Sequence, residues 1–87
     1  MPELCRFYGI IIYMFIKDHP PPHFHVKYNE FKALINISDG EIIKGLLPRR
    51  ALRLVQDWAE LHQDELMKNW IEANKNNPEL KKIKPLE

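Results

Sequence analysis

Three of the four histidines in this chain of 87 residues stand close together, at His19, His23 and His25. His23 and His25 are separated by one residue in a stretch that alternates apolar and polar side chains, a pattern typical of a β-strand. Side chains two positions apart leave the same face of a strand, so both imidazoles are expected to point the same way. Imidazole nitrogens bind Zn, Fe, Ni or Cu, and imidazole is also the common acid or base near neutral pH. The pair is therefore a candidate for metal binding or for acid–base catalysis.

A third metal ligand could come from either side of this pair. His19 precedes a run of three prolines whose restricted φ angles make a stiff turn, and it could fold back towards the pair. Glu30 follows in the spacing His23-x-His25-x4-Glu30, which resembles the metal motif of cupins. A cupin needs a closed β-barrel, and half of this chain has a helical pattern, so only the ligand set is kept. The alternative is that these side chains are polar surface with no chemical role.

Alternating apolar residues predict the strands that would carry the pair. In residues 23–28, Phe24, Val26 and Tyr28 form one face and the histidines form the other. Asp39-Gly40 is a hairpin signal between two later strands. The strands predicted are residues 10–16, 23–28, 31–37 and 41–46. The sequence therefore predicts a small antiparallel sheet of three or four strands.

The second half of the chain changes to a helical period. Pro48 suits the first turn of a helix, and no glycine or proline interrupts residues 49–77. We expect one long helix, or two consecutive helices with a kink near residues 62–64, and hence an α+β fold. His62 lies on the apolar side of this helix, where an acid or a backbone carbonyl would bind it. It joins the other histidines only if the helix covers their face of the sheet.

Size and composition set limits on the class of protein. The chain suits a single domain, residues 1–87, with a tail at residues 78–87 that could pack loosely. Its one cysteine, Cys5, allows no internal disulfide and has no evident activator as a nucleophile. The longest apolar run, residues 10–16, is shorter than the ~20 residues needed to cross a bilayer. We therefore expect a cytoplasmic protein without a membrane segment.

A local basic patch stands out against a net charge of only +1. Pro48-Arg49-Arg50 places two guanidinium groups at a predicted helix start, with Arg53 one turn later. Arginine in that position could hold a phosphate or a partner's carboxylate. The net charge argues against nucleic-acid binding by the whole surface, so only this patch is a candidate phosphate site.

Short motifs spread over nearly the whole chain resemble one known family. They are Arg6-Phe7-x-Gly9, Ile12-Tyr13-Met14, Asp18-His19-x-Pro21-Pro22-His23-Phe24-His25-Val26, Leu47-Pro48-Arg49-Arg50, Trp58-Ala59-x-Leu61-His62 and Asn69-Trp70. This pattern resembles the bacterial family known as domain of unknown function 4160, and Pro-Pro-His-Phe-His-Val is its most specific part. Pro20 stands where the family usually has Asn.

The resemblance implies no settled activity, but it suggests a two-gene module similar to toxin–antitoxin pairs, with a small partner protein encoded by a neighbouring gene. On that hypothesis the candidate acids or bases acting on RNA are His19, His23, His25 and His62, and the candidate phosphate ligands are Arg49 and Arg50. Two alternatives stay open. One is a non-catalytic interaction or regulatory module. The other is a protein that binds a divalent metal through His23 and His25 with His19 or Glu30. RNA and a second copy of the chain are the further candidate partners.

Overall fold

A computed structural model describes residues 2–87 as an antiparallel sheet followed by two helices. The strands are β1 (Glu3–Phe7), β2 (Ile10–Tyr13), β3 (His23–Tyr28), β4 (Phe31–Asn36) and β5 (Ile42–Gly45), and the helices are α1 (Arg49–Leu61) and α2 (Gln63–Ala73). Each strand pairs with the next along the chain, in the order β1-β2-β3-β4-β5. The α+β class is as predicted, but the sheet has five strands, so the prediction of three or four was wrong.

The additional strand, β1, does not show the alternation from which strands were predicted. Leu4 and Cys5 are adjacent and both are buried, because the register with β2 shifts between Glu3 and Cys5. A β-bulge of this kind lets two consecutive side chains face the core. The alternation of buried and exposed side chains is interrupted in β1, and this alternation is the signal from which strands are recognised in a sequence.

The second strand is shorter than predicted and leads into the proline turn. β2 ends at Tyr13, whereas the prediction extended it through Ile16. Beyond it Phe15 and Ile16 are exposed, and the backbone N–H of Lys17 donates to the carbonyl of Ala73 at 2.8 Å. The chain has therefore left the sheet and crosses to the end of α2 before it turns back at Pro20–Pro22, where the Pro20–Pro21 bond is cis.

The helices meet at the kink predicted from the sequence. α1 ends at Leu61, and the N–H of His62 is shared between the carbonyls of Trp58 and Ala59 at 3.2 Å each. The first turn of α2 then carries Asp64 and Glu65, whose negative charges suit the positive end of a helix dipole. α1 buries one side against the Phe24 face of the sheet, where the main core lies, and Leu66 and Ala73 of α2 join the same core.

The C-terminal tail packs against both layers. The N–H of Ile83, a buried residue, donates to the carbonyl of Leu4 at 3.0 Å, beside β1. Asn69 of α2 exchanges two hydrogen bonds with the backbone of Lys81, at 3.0 and 2.9 Å. The tail thus contacts the outer strand and the helices together. Within residues 2–87, no helix is long and apolar enough to cross a membrane.

Gly45 gives a direct test of the β4–β5 pairing. Its φ is +91°, and a Cβ there would overlap the carbonyl oxygen of Lys32 and lie 2.9 Å from the Cα of Ala33. We expect Gly45→Ala to lower the free energy of unfolding by about 2–4 kcal/mol, from clash and backbone strain combined. Urea denaturation measures this change.

Gly40→Ala is the matched control for that measurement. Gly40 also has a positive φ, +74°, but the nearest atom to an added Cβ is a flexible carbon of Gln56 at 3.7 Å. Only the backbone cost of roughly 1 kcal/mol should then remain. Equal losses for the two variants would contradict the close packing of β5 on β4.

Candidate functional site

Two histidines and an aspartate converge where β2 and β3 meet the proline turn. Nε2 of His23 and Nε2 of His25 each lie 2.9 Å from the same oxygen, Oδ2 of Asp18. β3 points both imidazoles from one face, as the sequence predicted, and the turn returns Asp18 to that face. The three ligand-type atoms lie within 4.8 Å of one another. We call this group the Asp18–His23–His25 cluster.

The hydrogen bond of His23 to the turn fixes how its ring nitrogens are used. Nδ1 of His23 lies 2.7 Å from the carbonyl oxygen of Pro21. A carbonyl oxygen only accepts, so Nδ1 carries a hydrogen and donates it. In the neutral ring, Nε2 then carries no hydrogen and can only accept a hydrogen bond. The Asp18 oxygen that it faces is also only an acceptor when the carboxyl group is ionised. Two acceptors 2.9 Å apart require a proton or a metal ion that both of them bind.

The surroundings keep Asp18 ionised. Partial burial alone raises its pKa, but hydrogen bonds from His25, from the backbone N–H of His19 and from His23, together with the charge of His23, outweigh that effect. The pKa of Asp18 therefore lies below its usual value. A carboxylate in its charged form binds either a protonated imidazole or a metal ion.

Aromatic rings enclose the two imidazoles. Tyr13 stacks on His25 with ring centroids 5.2 Å apart, and Phe15 meets the same ring edge-on at 4.5 Å. Trp70 of α2 lies 5.1 Å from the ring of His23. The side chains of His23 and His25 are only 5% and 11% exposed, whereas that of Asp18 is 22% exposed. The rings are thus held in fixed orientations, and Asp18 is the most accessible member of the cluster.

The two further ligands considered from the sequence lie outside this cluster. His19 is exposed, and it contributes its backbone N–H to Oδ1 of Asp18 at 2.9 Å, not its ring. Glu30 is exposed in the turn that joins Tyr28 to Phe31, at the far end of β3 from His23. The structure therefore does not bring either side chain to the pair.

His62 occupies a separate position on the helical layer. Its Nδ1 lies 2.6 Å from Oε1 of Glu65, and its ring packs 5.5 Å from that of Trp58. Trp58 in turn contacts Phe24, whose face of the sheet is opposite to that of the histidine pair. His62 therefore does not join the cluster.

The candidate phosphate ligands lie at the other end of the sheet. Arg49 and Arg50 are exposed at the start of α1, and Arg50 lines a cleft with Ile10 and Tyr28. Those two residues pair at the end of β2 and β3 remote from the pair formed by Tyr13 and His25. The histidines and the arginines therefore do not form one compact site.

Asp18 is the member of the cluster that sequence reasoning missed. Its spacing from His23 and His25 matches no regular element, because the connecting residues form the proline turn. The available signal was a carboxylate directly before His19 in the same segment as the pair. Only the path of the turn shows that the carboxylate of Asp18 reaches both imidazole rings.

The cluster lies in the part of the chain that matches a known protein family. Residues 9–71 match the family described as domain of unknown function (DUF4160). The chain belongs to this family. The matched range contains the cluster, both helix starts and the arginines, and it leaves out β1 and the C-terminal tail. No curated protein and no solved structure gives a significant match to the chain.

Cys5 provides a test of how tightly β1 is packed. Burial, with a smaller effect from the charge of Glu3, raises the pKa of this thiol to about 12. At pH 8 only about one thiol in ten thousand is then ionised, and the thiolate is the reactive form. We expect alkylation by iodoacetamide to be slow in the native protein and fast in denaturant, as followed by mass spectrometry. Equal rates in the two conditions would show that β1 is open.

Proposed function

We propose that the protein binds a divalent transition-metal ion through Asp18, His23 and His25. The observation that carries this proposal is the donor pattern of His23, whose Nδ1–H bonds to the Pro21 carbonyl, so that in the neutral ring the lone pair of Nε2 faces Asp18. Histidines that bind metals almost always donate the other ring N–H to a carbonyl or a carboxylate, which fixes the tautomer. The cluster has this arrangement without any rearrangement of the turn.

The spacing of the three atoms supports the same proposal. Metal–nitrogen and metal–oxygen bonds of ~2.1 Å at right angles place neighbouring ligand atoms ~3.0 Å apart. The two distances from Asp18 to the imidazoles are 2.9 Å. Two histidines and one carboxylate on one face of an ion form a facial triad, which suits Fe²⁺ and related ions, whereas Zn²⁺ would favour a more open tetrahedral spacing.

An ion held by three side chains keeps coordination positions for water or a substrate. In such a site the ion polarises a bound oxygen or lowers the pKa of bound water. The chain's own contribution is to fix the ligands: Tyr13 and Trp70 limit rotation of the rings, and the N–H of His19 holds Asp18. Asp18 is the most exposed of the three, so water or a substrate would approach a bound ion from its side.

Metal content and thermal stability test this proposal in wild-type protein prepared without a histidine tag. We expect one Zn²⁺ or Fe²⁺ per chain by elemental analysis. Excess metal at ~100 times Kd should raise Tm by roughly 10 °C or more, because binding stabilises only the folded state. Asp18→Asn and His25→Ala should lose both the metal and the shift in Tm.

His19→Ala and His62→Ala are the matched controls, since each removes an imidazole outside the cluster. Both should retain stoichiometric metal. If the wild-type protein takes up less than one ion per chain and its Tm is unchanged by either metal, the positive charge in the cluster is a proton and the proposal fails. This result does not depend on the folding of any variant.

A second hypothesis is that the protein docks a small partner encoded by a neighbouring gene, within a cytoplasmic module of the toxin–antitoxin type. The observation that favours docking is β5, an edge strand with exposed Ile43, followed by exposed Leu46. An edge strand offers a row of unpaired backbone groups to an added strand. Direct cleavage of RNA by the histidines is less well supported, because His23 and His25 are nearly buried and lie far from Arg49 and Arg50.

Co-expression with the product of the neighbouring gene tests docking at β5. We expect the partner to co-purify with the wild-type protein and to be lost with Ile43→Lys, since a buried lysine would have no counter-charge in the interface. Leu61→Lys makes the same change at an exposed apolar residue of α1 and should retain the partner. Failure of the partner to co-purify with wild type, or its loss with both variants, would reject this interface.

A further inference from the structure

A cleft at the end of the sheet opposite the Asp18–His23–His25 cluster combines aromatic and basic side chains. It has a volume of about 260 Å³ and is lined by Tyr8, Ile10, Tyr28, Pro48, Arg50 and Leu54. Typical small-molecule pockets are roughly 300–1,000 Å³, so this cleft suits one planar ring better than a large ligand. Its walls come from the turn at Tyr8, from the neighbouring ends of β2 and β3, and from the start of α1.

The arginines near the start of α1, of which Arg50 lines this cleft, form no ion pair within residues 2–87. Arg49, Arg50 and Arg53 are all exposed, and the first turn of α1 contains no acidic residue. Over residues 2–87, the ion pairs of the protein involve none of these three guanidinium groups. The positive end of a helix dipole disfavours cations, so Arg49 and Arg50 in the first turn of α1 are unfavourable for the isolated fold. Such a cluster is favourable once an anion binds.

Tyr8 also has an unfavourable backbone conformation. It forms a two-residue turn with Gly9 between β1 and β2, and both residues have positive φ, at 49° and 79°. This is the backbone of a type I′ turn, where Asn or Gly is favoured and a bulky residue is an outlier. The Tyr8 side chain buries little in return, because it is 61% exposed. An exposed aromatic ring on a strained backbone at the rim of a cleft is typical of a residue that binds a ligand.

We propose that this cleft binds single-stranded nucleic acid, with a base against Tyr8 and Tyr28 and the adjacent phosphates on Arg50 and Arg53. Proteins that bind single strands combine aromatic rings on which bases stack with cations that follow the backbone. Arg50 and Arg53 stand one helical turn apart, so they lie on the same side of α1. The weak net charge of +1 means that binding depends on this patch and not on the surface as a whole. The site is separate from the metal cluster and neither depends on the other.

Fluorescence anisotropy with labelled single strands tests the proposal in full-length protein with EDTA present, so that metal makes no contribution. The probes are a ten-nucleotide RNA and the DNA of the same sequence, at low salt. We expect binding of at least one of them, and the comparison shows which sugar is preferred. Arg50→Glu and Arg53→Glu should each weaken binding about tenfold or more and reduce the slope of log K against log salt by about one. Lys68→Glu makes the same change of charge on α2 and should bind as wild type does.

Tyr8→Asn separates a binding role from a structural one. Asn is the better residue for this turn, so Tm should stay the same or rise. Loss of the stacked ring should nevertheless weaken binding about tenfold. Binding by Tyr8→Asn that equals wild type would overturn the proposal, as would the absence of binding to both strands. A salt-dependent association with vesicles of phosphatidylserine, without binding to either strand, would assign the patch to a lipid surface instead and would also overturn it.

Discussion

The packing of Trp58 is the interaction on which the rest of the fold depends. Its indole is fully buried in α1, 5.8 Å from the ring of Phe7 in β1 and 5.9 Å from that of Phe24 in β3. Its Nε1–H donates to the carbonyl of Lys84 at 2.9 Å. One side chain thus contacts an outer strand, a central strand and the C-terminal tail. A buried aromatic residue contributes several kcal/mol, and here it also determines which face of the sheet the helices cover.

The face of the sheet that packs against Trp58 determines which side chains of β3 lie on the opposite face. Because Phe24 and Val26 point towards Trp58, the alternation of β3 places His23 and His25 on the opposite face, out of reach of His62. The partly buried loop residue Asp18 then supplies the third polar group. The Asp18–His23–His25 cluster therefore follows from core packing, and its three members come from only two short segments of the chain.

Regular patterns in the sequence predicted the parts of this fold that follow them. The alternation in β3 was enough to place both histidines on one face, and the helical period with its kink at residues 62–64 was found because nothing interrupts it. β1 was missed because a bulge buries Leu4 and Cys5 together. Asp18 was missed because a turn has no period from which its direction can be read. The family resemblance was confirmed, but it carried no information on how the turn folds.

The hydrogen bond from Lys17 to Ala73 links the turn that carries Asp18 to the last turn of α2. Neither end of this bond belongs to the cluster, yet it joins the backbone one residue before Asp18 to the helix that carries Trp70, which packs on His23. The loop and the helix end are therefore joined by a backbone hydrogen bond as well as by the contact between Trp70 and His23. The end of α2 is thus part of the support of the site, although it supplies none of the three ligand-type atoms.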